Sequence, residues 1–130
     1  MPRLSAMEPG STLTGVIVRG YGLYYDVSTD AGILRCTLRG MLKRPRRGTD
    51  PAAVGDRVTA TLTTPETDPP EGVIEEIAPR VRTLSRLARG TSDVEQVIVA
   101  NPDQLVAVFA IHHPEPHPRL VDRFLLIAEA

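Results

Sequence analysis

The sequence predicts a mainly β protein: a five-stranded barrel of the OB type, followed by the first strand and helix of an incomplete α/β domain. Three observations carry that expectation. Across residues 13–77 apolar side chains recur with period two, and turn residues interrupt them at short intervals, the pattern of a small all-β domain. Short strands with one apolar face must close or stack to bury it. A partly open OB barrel is the economical closure, and an SH3-like barrel uses the same alternation. Past Ile77 the period changes: residues 105–111 are continuously apolar, as in a parallel strand buried on both faces.

The first strand is expected at 13–19, β-branched and stopped by the turn Gly20-Tyr21-Gly22. The second, 23–28, alternates Leu23, Tyr25 and Val27 against Tyr24, Asp26 and Ser28 before the turn Asp30-Ala31-Gly32. In the third, 33–39, Leu34, Cys36 and Leu38 face inward while Arg35, Thr37 and Arg39 face outward. The fourth, 56–63, turns Val58, Ala60 and Leu62 inward and Arg57, Thr59, Thr61 and Thr63 outward. The fifth, 72–77, breaks alternation at Val73, Ile74 and Ile77, which points to a bulge.

The expected organisation is a flexible N-terminus over 1–12, the barrel over 13–78, a basic linker without clear periodicity over 79–100, and the start of a truncated second domain over 101–130. In that last part Pro118 suits the first turn of a helix. Leu120, Val121, Phe124, Leu125, Ile127 and Ala128 then make its broad apolar stripe. One strand and one helix cannot bury themselves, so the chain is expected to be a fragment or to fold against a partner that supplies the missing layers.

Apolar residues make up 42% of the 130, enough for a packed core and against a disordered chain. Trp is absent, so Val, Ile and Leu must fill that core. Cys36 is the single cysteine. It closes no internal disulfide or Cys-based zinc site and is expected to pack as a small core residue. Residues 1–12 lack the apolar run of a secretory signal, and no stretch approaches the ~18 apolar residues of a membrane span. The expectation is a soluble, cytoplasmic protein without a membrane partner.

The formal net charge is −1, yet the positive charge is gathered in two places. Arg35, Arg39, Lys43, Arg44, Arg46, Arg47 and Arg57 form one group, against only Asp50 and Asp56. Arg80, Arg82, Arg86 and Arg89 form the other, with no acid among them. Acids collect instead at Glu66, Asp68, Glu71, Glu75 and Glu76. Segregated signs produce a local positive field that attracts polyanions, although a solvated Arg-rich face gives the same composition.

Nucleic acid usually crosses the strand-two and strand-three face of an OB barrel and its neighbouring loops. Arg35 and Arg39 fall there, with Lys43, Arg44, Arg46 and Arg47 on the adjoining loop and Arg57 on the next strand. Tyr24 faces the same way and is placed to stack a base. Tyr21, at a Gly-flanked turn, is a second candidate. Arg80, Arg82 and Arg86 extend the set. Nothing in it reads base identity, so phosphate and shape contacts should dominate.

Other chemistries find little support. His112, His113 and His117 sit in a Pro-rich connection with Glu115 as the one local carboxylate, a spacing that fits no standard metal pattern. No nucleophile elbow is present, nor a Gly-rich phosphate loop ending in Lys-Ser/Thr. Asn101 and Asp103, flanking Pro102, suit capping or turn formation.

Read in order, Gly15-Val-Ile-Val, Tyr24-Tyr-Asp-Val27, Cys36-Thr-Leu-Arg-Gly40, Val54-Gly-Asp-Arg-Val58, Gly72-Val-Ile-Glu-Glu-Ile-Ala-Pro-Arg80, Ala100-Asn-Pro-Asp-Gln104 and Leu120-Val-Asp-Arg123 make a succession. It resembles the N-terminal part of the circularly permuted, small-ribosomal-subunit-dependent GTPases, the RsgA (YjeQ) family. The resemblance implies an OB domain that docks on small-subunit rRNA, then a permuted GTPase domain and a zinc-binding region, acting late in subunit maturation. Cys36, Arg39, Gly40, Gly55, Asp56, Pro79 and Arg80 match its OB-domain pattern. Asn101, Asp103, Asp122 and Arg123 match the opening of its GTPase domain.

The Asn-Lys-x-Asp motif, phosphate loop and zinc cluster of that family do not occur in these residues. GTP, Mg and Zn are therefore implied only for a longer parent. The chain alone is expected to have no catalytic residue and no GTPase activity. The alternative is a stand-alone OB or SH3-like nucleic-acid-binding module with no GTPase connection. A third possibility is a truncated product whose apolar 105–130 segment aggregates.

Overall fold

A computed structural model describes residues 3–43, 51–87 and 95–108, together with 119, 122, 123, 125 and 126. Five strands, β1 (Thr12–Tyr21), β2 (Tyr24–Thr29), β3 (Gly32–Leu38), β4 (Arg57–Thr64) and β5 (Glu71–Ile77), form a closed barrel. Their order around it is β1-β2-β3-β5-β4, and β1 pairs with β4 to close the ring. All neighbours are antiparallel except β3 and β5. That parallel contact decides for the OB arrangement, since an SH3-like barrel is antiparallel throughout.

The inward faces are those that alternation selects. Ile17, Val27, Leu34, Cys36, Leu62 and Ile74 are wholly enclosed, with Val58 and Ala60 beside them. The expected bulge in β5 is present. Thr59 pairs with Glu76 and Ala60 with Ile74, so Glu75 is the extra residue that lets both Ile74 and Ile77 face the core. A second bulge is invisible in the alternation. Ile17 pairs with Val27 and Arg19 with Asp26, which leaves Val18 as the extra residue of β1. An unbulged strand would have turned Arg19 and Tyr21 to the same side as Ile17. The bulge sends them outside.

Burial, reinforced by the negative charge of Asp26, pushes the Cys36 thiol up to about 12. It is a protonated core side chain, as expected, donating weakly to the Leu34 carbonyl at 3.7 Å.

Three expectations are corrected. The N-terminus is not a loose tail over 3–12. Leu4, in a short 3-10 turn (Leu4–Ala6), is buried in the barrel core, and Leu62 donates its N–H to the Ser11 carbonyl. Residues 79–100 are not simply a linker, because β6 (Thr83–Leu87) and β7 (Glu95–Ala100) pair as an antiparallel two-stranded sheet. Its apolar positions were hidden by the short strands and by a register shift between Leu84 and Ser85. Finally, residues 105–108 form no strand, and Val106 and Val108 are 71% and 87% exposed. A strand buried on both faces needs neighbouring strands, and none lies beside this segment among the described residues. Residues 119, 122, 123, 125 and 126 are helical, with Leu125 and Leu126 exposed. Pro118, Leu120, Val121, Phe124, Ile127 and Ala128 lie outside the described residues, as do 109–111.

Candidate nucleic-acid interface

The β1–β2 connection is two residues long, Gly22 and Leu23. Gly22 has φ +59° and Leu23 keeps a negative φ, the arrangement of a type II′ hairpin turn. The turn sets Tyr21 directly across from Tyr24, their ring centroids 6.1 Å apart and tilted by 33°. One step down, the register aligns Arg19 of β1, Asp26 of β2 and Arg35 of β3 on the outer face. Acid and base therefore alternate across three strands, under two tyrosines.

The side chains in this row are tied together. Arg35 donates from Nε to the Tyr21 hydroxyl at 2.8 Å, and that hydroxyl donates to Asp26 Oδ1 at 3.0 Å. The Arg35 guanidinium carbon stands 5.9 Å from the centroids of both tyrosine rings. Arg19 lies over the Tyr21 ring at 4.9 Å, within cation–π range. Leu23 is exposed at the tip of the adjoining turn. The cluster thus presents cations backed by aromatic surface at the face and loop where OB barrels commonly take nucleic acid.

Tyr24 and Arg35 sit as the alternation placed them, and Tyr21 joins them. Arg19 was missed, because strict alternation from Ile17 assigns it to the core. Its spacing two residues before Tyr21 was the available signal. The remaining cations disperse. Arg39, just past β3, pairs with Glu75 on the surface. Arg57 is exposed on β4, opposite Val16 of β1, with β5 between its strand and that of Arg35. It edges a shallow groove of about 390 Å³ that Thr14, Ser28, Asp30 and Thr59 also line. Arg82 lies by Asp103 (3.9 Å) and donates to the Pro102 carbonyl at 3.2 Å. Lys43 ends a 3-10 turn (Gly40–Lys43) and Arg86 is in β6. Arg44, Arg46, Arg47, Arg89, His112, His113 and His117 lie outside the described residues.

Arg80 is the clearest change of role. Its Nε and Nη2 both donate to the fully buried Asp56 carboxylate at 2.8 Å, so it secures the barrel instead of offering a bare cation to phosphate. Asn101 does more than shape a turn. With φ +52°, it accepts from the Val81 N–H at 2.7 Å and donates to the Gly55 carbonyl at 3.1 Å, stitching the end of β7 to the barrel.

Residues 14–74 match the model of the RsgA N-terminal domain, and residues 77–130 match the model of the RsgA GTPase. The chain belongs to the RsgA family. Among its relatives, a protein of Gemmatimonas aurantiaca named small ribosomal subunit biogenesis GTPase RsgA is 41% identical over 92% of this chain and 39% of its own length. One of the same name from Chlorobaculum tepidum is 42% identical over 92% and 40%. The crystal structure of YjeQ from Thermotoga maritima superposes with a TM-score of 0.59 at 28% identity, covering 92% of this chain and 37% of that one.

The chain spans about two fifths of the length of these relatives. The GTPase match opens at residue 77, earlier than the 101 expected, and so takes in the β6–β7 sheet. It also sets aside the alternative of a stand-alone OB or SH3-like module with no GTPase connection.

Proposed function

We propose that this chain is the RNA-docking portion of a small-ribosomal-subunit biogenesis GTPase. The barrel binds small-subunit rRNA through the face of β1, β2 and β3. Arg19, Arg35, Tyr21 and Tyr24 form its centre, and Arg39, Lys43, Arg44, Arg46 and Arg47 supply further cations. Arg57, Arg82 and Arg86 are peripheral contacts. The observation that carries this reading is the partly exposed Arg–Tyr cluster at the β1–β2 turn of an RsgA-family OB barrel. Its mechanism is phosphate neutralisation with counterion release, the rings adding stacking surface. The relatives' names support work in subunit biogenesis, and a cytoplasmic location is part of the same proposal.

GTP hydrolysis is proposed for the whole protein only. The sequence holds no phosphate loop ending in Lys-Ser/Thr, so GTP, Mg and Zn are likewise proposed for the whole protein only.

Co-sedimentation with purified small ribosomal subunits at 50 and 200 mM salt tests the proposal. If six or more phosphates are contacted, affinity should fall by roughly a thousandfold between those salts. An Arg35→Glu/Arg39→Glu variant should lose binding. A salt-independent association, or a variant that binds like wild type, would rule this face out as the docking surface.

A further inference from the structure

The cluster at the β1–β2 turn contains an acid, and a carboxylate within an RNA-binding face should oppose binding. Its geometry argues the reverse. The Tyr21 hydroxyl has one proton. That proton is given to Asp26, which leaves an oxygen lone pair aimed at Arg35 Nε. Without Asp26 the hydroxyl is released to reorient, and the fixed acceptor for Arg35 is lost. Arg35 spends only its Nε–H on Tyr21 among the bonds its guanidinium makes here, so its Nη edges remain to meet two oxygens of one phosphate. Arg19, held over the Tyr21 ring at 4.9 Å from its centroid, adds a second cation.

We propose that Arg19 and Arg35, anchored on Tyr21, form a clamp for a single phosphodiester of RNA, and that Asp26 is its positioning residue. The inference rests on the RNA-docking reading above. Asp26 acts through the hydroxyl and touches no ligand itself. Its negative charge is the cost of a preorganised guanidinium.

The two accounts of Asp26 predict opposite signs. If Asp26 acts only as a charge, Asp26→Ala and Asp26→Asn should both bind small subunits more tightly than wild type. If Asp26 positions the clamp, Asp26→Ala should bind about five- to tenfold more weakly, the net worth of one ordinary hydrogen bond. Asp26→Asn, which keeps an acceptor at Oδ1, should stay close to wild type. Tyr21→Phe keeps the ring and every charge yet removes the relay, so it should weaken binding to the same degree. The Asp26→Ala/Tyr21→Phe pair should be no worse than either single change.

Titration of labelled subunits with the full chain, after checking each variant by thermal melting, gives the answer. Tighter binding by Asp26→Ala, or additive effects in the double variant, overturns the relay. If Asp26→Ala does not fold, Tyr21→Phe decides by itself, and wild-type affinity in that variant overturns the proposal. No binding by wild type would instead fail the docking reading, a separate result.

Discussion

Arg80 grips Asp56 with two parallel hydrogen bonds of 2.8 Å, and the Asp56 carboxylate is entirely removed from solvent. A third bond reaches the same carboxylate from the Ala53 N–H at 2.8 Å. The main chain of Asp56 is equally committed, its carbonyl accepting from Ile17 at 2.9 Å. One residue at the mouth of β4 therefore holds β1, the 53–56 turn and the segment that follows β5.

Removing Arg80 leaves that buried carboxylate with the Ala53 N–H but without its countercharge, and burying an uncompensated charge is far costlier than losing the pair. Arg80→Ala should destabilise the chain by about 3–5 kcal/mol in urea unfolding. The Asp56→Ala/Arg80→Ala double variant should lose much less than the sum of the single losses, and full additivity would contradict the pairing.

Gly55 couples the barrel to the β6–β7 sheet. It has φ +96°, and a Cβ there would overlap the Ala100 carbonyl oxygen. The Ala100 N–H meanwhile donates to Val54 at 2.8 Å. Gly55→Ala meets both a disfavoured backbone conformation and a backbone clash, so it should cost more than about 1 kcal/mol. Amide exchange should report the site of damage, with Ala100 losing protection while Leu34 and Leu62 keep theirs.

Cys36 gives the protein an alkaline limit. The folded chain holds the thiol proton up to about pH 12, whereas the unfolded chain releases it near 9.0. This contribution to stability is complete below pH 9 and is lost as pH rises towards 12. Relative to Cys36→Ala, wild type should lose about 1.4 kcal/mol per pH unit across that window. A parallel pH profile for the two proteins would contradict the burial of the thiol. At neutral pH the native thiol should resist alkylation.

Arg39 and Glu75 form a surface pair that contributes little to folding. Glu75→Gln should leave the melting temperature unchanged and free the Arg39 charge, raising affinity for small subunits at low salt. The contrast with Asp26 is informative, since the two acids stand beside cations of the same face and should respond with opposite sign. A loss of binding in Glu75→Gln would mean that Glu75 also positions its arginine.

What the sequence alone determined is the barrel, its inward face and its family. Leu34, Cys36, Leu38, Val58, Ala60 and Leu62 are legible because the strand period is two and one side must be dry. The bulge at Glu75 was legible too, because two isoleucines three apart cannot both face inward without an extra residue. Tertiary structure decided the rest. The Val18 bulge moves Arg19 and Tyr21 outside, and no local pattern marks it. The partnership of Asp56 with Arg80 spans 24 residues, so composition counted Arg80 as one more surface cation. Periodicity reports which side of a strand a residue occupies. Which charges are left to meet a ligand depends on neighbours brought in by closure of the barrel, and only the folded chain sets those.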